Sequence, residues 1–90
     1  MNNIRTTLEE RGNRYGDYKD VAKVSQSIKN ELSVHNWGKL EHYQKESLEM
    51  IANKLARIVC GDTTYDDNWI DICGYSQLVV DELNKLKELK

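Results

Sequence analysis

The chain has no proline in 90 residues, where ordinary usage would give about four or five. No ring therefore interrupts a helix by removing an amide donor, and long unbroken helices are expected. Cysteine is scarce too, with only Cys60 and Cys73. Two cysteines make neither a disulfide framework nor a zinc set. Each lies among apolar neighbours and reads as a small core filler in a reducing compartment. No apolar run approaches the roughly 18–20 residues of a membrane span, so no membrane partner is expected. The N-terminal stretch MNNIRTTLEERGNRYGD is polar throughout and shows no secretory signal, which points to a cytoplasmic protein. Alternation of period two is nowhere sustained, so there is no strand candidate. Positive charge is not in excess either. The 13 Lys and Arg against 15 Asp and Glu leave a net charge of −2, which argues against nucleic-acid binding driven by phosphate attraction.

What is present suits a small water-facing domain, with 39% hydrophobic and 31% charged residues. Residues 1–90 read as one domain. A chain this short buries only about 60–65% of its unfolded surface, so its core is thin and a homo-oligomer is expected.

The pattern predicts an all-α fold, a small domain of four antiparallel helices with a short first one. That first helix covers roughly Ile4 to Arg11 and stops at Gly12, and Arg11 to Asp17 forms a turn. Asp17 is placed to cap the second helix, with Asp20 in its first turn. Val21, Val24, Ile28 and Leu32 give that helix a stripe, and Asn36-Trp37-Gly38 reads as a break after it. The third helix runs from about Leu40 to Cys60. Leu48, Ile51, Ala52, Leu55, Ile58 and Val59 make the strongest periodic signal in the chain, and Gly61 is placed to end the helix in the left-handed conformation. The fourth helix starts near Asp66 or Asp67, where Asp66 is placed to cap it. It carries Ile72, Tyr75, Val79, Leu83 and Leu86, and gathers Lys85, Lys87 and Lys90 near its end. Gly74 inside it costs about 1 kcal/mol and suggests close approach of another helix or a ligand.

Two acidic pairs carry the chemical signal. Glu46 and Glu49 are three residues apart on the third helix; Asp67 and Asp71 are four apart on the fourth. Each spacing puts two carboxylates on one face. If those faces meet, four anionic side chains converge and repel one another unless a hard cation such as Mg²⁺ sits among them, typically with a phosphorylated ligand. Two solvated helix faces would read the same way. Lys54 and Arg57 lie one turn further on and are placed to neutralise phosphates, or to form ion pairs within the fold. Arg11, Arg14, Tyr15 and Tyr18 surround the first turn of the second helix. They could cradle an anion and stack a base, or simply pack there. Trp37 and Trp69 read first as packing residues.

Two resemblances follow from these residues. The segments RGNRYGDYKD, ESLEMIANKLARIVCGD and YDDNWIDICGY are similar to a family of small phage and prophage proteins, and the likeness covers most of the chain. It implies a compact helical fold in a bacterial host and transfers no activity. Glu46-Ser-Leu-Glu49 and the segment around Asp71 also resemble the acidic motifs of MazG-like all-α nucleotide pyrophosphohydrolases. There, E-x-x-E and E-x-x-D hold Mg²⁺ against a nucleoside triphosphate. The chain departs from that pattern in having Asn68 three residues before Asp71, so Asp67 would have to serve. The resemblance implies a nucleotide or nucleotide-derived ligand. Glu46, Glu49, Asp67 and Asp71 would hold the metal, and Lys54, Arg57, Arg14, Tyr15 and Trp69 would contact the ligand. No catalytic residue is named. The alternatives are a phage protein that inhibits a host defence protein by binding it, and a sponge that holds a nucleotide signal without hydrolysing it.

Overall fold

Helices α1 (Asn2–Tyr15), α2 (Tyr18–Leu32), α3 (His42–Cys60) and α4 (Asp67–Glu88) carry the chain in a computed structural model that describes residues 2–88. A single 3-10 turn, Asn36–Lys39, precedes α3, and the described residues contain no strand. The expected all-α class and the four helices are thus found. Lys90 lies outside the described residues.

The first helix is longer than its sequence pattern suggested. Gly12 does not stop it, because one glycine costs only about 1 kcal/mol in a helix interior and nothing crowds this position. The break comes at Gly16, whose φ of 95° turns the chain through a conformation that disfavours side chains. Asp17 occupies the cap position of α2, but its side chain makes no capping hydrogen bond. At the start of α3 the Glu41 amide donates to Gln44 Oε1 at 2.8 Å, which fixes the first turn just after Leu40.

Gly61 ends α3 in a different way from the one expected. Its φ of −119° and ψ of −142° are not left-handed. What requires glycine there is close backbone approach, described below. Gly74 also differs: no described residue outside its own helix lies within 4 Å of where its Cβ would be, so no neighbouring helix crowds it.

Helix α3 lies between its neighbours and buries two of its sides. Lys54 meets Asp71, while Leu48 and Ile51 share a cleft with Ser76 and Val79, so α3 and α4 run antiparallel. Asn53 and Arg57 share another cleft with Val21 and Tyr18, so α2 is antiparallel to α3 as well. Ser47, Lys54 and Ile58 are buried on the α4 side; Ala52 and Ala56 are buried toward α2. Among the described residues, the buried apolar side chains are Val21, Ala52, Ala56 and Ile58. The periodic stripe along α3 is therefore split. Ile58 goes inward, whereas Leu55 and Val59 stay exposed. Cys60 is half-buried and Cys73 exposed, so only the first fills space inside the fold.

Candidate functional site

The corner between α1 and α2 rests on the C-terminal half of α3, and the space left between them is a groove of about 450 Å³. That is large enough for a small organic ligand. Leu8, Arg11 and Tyr15 line it from α1, Tyr18 from α2, and Asn53 and Arg57 from α3. The Arg57 guanidinium carbon lies 4.6 Å from the centre of the Tyr15 ring. A guanidinium laid on an aromatic face is oriented without losing its charge, and its outward N–H groups stay available to an anion. Arg11 adds a second cation, Asn53 an amide, and Tyr18 an exposed ring.

Backbone, rather than side chains, fastens this corner. The Asp62 amide donates to the Arg14 carbonyl at 2.9 Å. A Cβ on Gly16 would sit 2.6 Å from the Cys60 carbonyl carbon, and one on Gly61 would sit 2.6 Å from Tyr15 Cα. Each glycine thus meets the backbone beside the other, and the two form a clasp between the end of α1 and the end of α3. Beside it, Arg14 Nη1 donates to the Tyr65 hydroxyl at 3.0 Å, and that hydroxyl donates to Asp67 Oδ2 at 2.7 Å. The bond to Asp67 holds the Tyr65 pKa above its ordinary value. In the following turn Asp62 Oδ1 accepts from the Thr64 amide and hydroxyl, which lowers the Asp62 pKa.

The four acids are dispersed. Asp71 Oδ2 lies 3.0 Å from Lys54 Nζ, and the Lys54 side chain is only 10% exposed. Asp67 is engaged by Tyr65. Glu46 lies eight residues before Lys54, about 12 Å back along the helix axis, and its side chain is exposed. Glu49 is half-buried on the same helix. Among the described residues, no three acidic, histidine or cysteine side chains gather into a set that could hold a metal. Asn68, one turn before Asp71, is 1% exposed, and its Nδ2 has no hydrogen-bond partner.

Of the residues singled out for a ligand or an anion, the groove contains Arg11, Tyr15, Tyr18 and Arg57. Arg14 points to Tyr65, at 5.0 Å from that ring centre, and Lys54 is held by Asp71. Trp69 is 53% exposed on α4 and takes no part in the groove lining. The sequence alone does not single out Asn53 for a ligand. Its position one turn before Arg57 is the signal that places it beside a ligand. No family model, curated protein or solved structure matches this chain. No helix among the described residues is long and apolar enough to cross a membrane.

Proposed function

We propose that the groove between α1, α2 and α3 binds a nucleotide or nucleotide-derived phosphate ligand and holds it intact. The observation that carries this reading is Arg57 stacked on Tyr15 with Arg11 lining the same cavity. Two guanidinium groups provide paired donors for phosphate oxygens, and Tyr18 and Tyr15 provide faces for a base. The setting we propose is the bacterial host cell that the resemblance to phage proteins implies, where such binding would withdraw a nucleotide signal. Hydrolysis through Mg²⁺ would need Glu46, Glu49 and Asp71 around one ion. As placed in one chain they do not fit that role, because Asp71 is neutralised by Lys54 and Glu46 lies a long way down the axis. Inhibition of a host protein is the second reading, favoured by Ile4 and Leu8, which α1 leaves exposed.

The test is a thermal-shift screen of nucleoside triphosphates and cyclic dinucleotides, with and without Mg²⁺, followed by mass analysis of the released compound. A stabilising ligand recovered uncleaved is expected. Arg57→Ala should weaken its binding about 10- to 100-fold, the loss of one charge-assisted contact. A cleaved product would move the protein to the pyrophosphohydrolases. No shift with any nucleotide would end the ligand reading and leave a protein target.

A further inference from the structure

The side of α3 that faces away from the groove is apolar and uncovered. Leu55 and Val59 each follow a groove residue, Asn53 and Arg57, by two positions, about 200° round the helix. Leu55 is 39% and Val59 68% exposed. On α4, Trp69, Ile72, Ser76, Val80 and Leu83 step by three or four residues and form one stripe. Ser76 opens into the same cleft as Leu48, which puts this stripe beside the bare side of α3. Neither the α3 positions nor this stripe contains a charged residue.

The size of the uncovered surface says what it needs. The chain exposes 7035 Å², whereas a compact monomer of 10.5 kDa exposes about 5,400 Å². Its radius of gyration is 15.7 Å, against roughly 12 Å for a compact domain of this length. That excess is spread over the whole chain, α1 included, and as a total it exceeds the roughly 800 Å² that each partner contributes to a standard stable interface. A face without charge offers nothing to select a basic or acidic partner, and it removes the repulsion that two copies of a net −2 chain would feel across a charged one.

We infer that this chain pairs with a second copy through the α3 and α4 face centred on Leu55, Val59 and Val80. The pairing stacks two helical layers and leaves both grooves outward. It does not depend on what the groove binds.

Sedimentation of the full chain across a concentration series tests it. The expected species is a dimer of about 21 kDa, twice the 10.5 kDa chain. Val59→Asp should raise its dissociation constant about 100-fold or more, with helical content by circular dichroism unchanged. Leu78→Asp, at a residue 60% exposed on another side of α4, should leave the dimer intact. Val80→Asp is the second disruption if Val59→Asp fails to fold. A single 10.5 kDa species at every concentration overturns the inference. So does an assembly that survives both Val59→Asp and Val80→Asp.

Discussion

The two sides of α3 invert the usual relation between polarity and exposure. On one side, Asn53 and Arg57 are half-buried beneath the corner of α1 and α2. On the other, Leu55 and Val59 face outward with nothing over them. Burying polar groups costs free energy unless they are partnered, and exposing apolar ones forfeits about 25 cal/mol per Å². A helix that does both gains too little from its own fold alone. The polar side has a use for its groups when a ligand supplies the partners, and the apolar side when another surface covers it. The difference teaches that exposure patterns on a small chain describe what it meets as well as how it folds.

The sharpest way to break the contrast is to release the corner that shelters the polar side. Gly61→Ala places a methyl group against the Arg14 and Tyr15 backbone, which cannot yield as a side chain could. We expect a loss of about 3 kcal/mol or more, read by urea denaturation, with the groove opened and the bare side of α3 unchanged. A loss near zero would mean that α1 is not fastened there.

A smaller effect tests the pair that separates the two sides. Asp71→Asn removes the counter-charge of a Lys54 ammonium whose side chain is 10% exposed. A destabilisation of about 1–2 kcal/mol is expected, kept low by the half-exposed carboxylate. Nucleotide affinity should change little, because this pair lies outside the groove lining. A large loss of affinity with normal stability would place Asp71 at the ligand after all.

The smallest effect concerns acid. Hydrogen bonds from Thr64 lower the Asp62 pKa from its ordinary 3.8. A lowered carboxylate pKa contributes stability that is present above 3.8 and is lost as pH falls through the depressed folded value. Thr64→Ala should therefore lower Tm slightly at neutrality, where the contribution is fully present, and flatten the fall in Tm so that variant and parent converge as pH drops through that window. An unaltered acid slope would remove Asp62 from the account.

Much of this architecture was legible in the chain. Missing proline and the stripes of α2, α3 and α4 gave the helices, and the breaks near Trp37 and Gly61 fell where helices end. The extent of α1 was hidden because Gly12 looks like a stop and sits in open space, while Gly16 carries the positive φ. The reason for Gly61 was hidden because its neighbours, Arg14 and Tyr15, are remote in sequence. In the sequence the α3 stripe looks like a single apolar face. A helix flanked on two sides hides one set of residues toward each neighbour, and periodicity alone cannot say which of Leu55 and Ile58 turns inward. The groove was partly legible: Arg11, Tyr15, Tyr18 and Arg57 stand out by residue type, whereas Asn53 is notable only because the corner closes over it.

The glycine clasp holds α1 at its C-terminal end, while residues 3–14 of that helix are exposed. Such a helix is a lever on a fixed pivot, and displacement grows with distance from the pivot. Arg11 sits about one turn out from it, so any pivoting of α1 would displace the Arg11 wall of the groove more than the Arg57 wall. A molecule spanning both arginines would lock the lever, and part of its affinity would be spent on stilling α1.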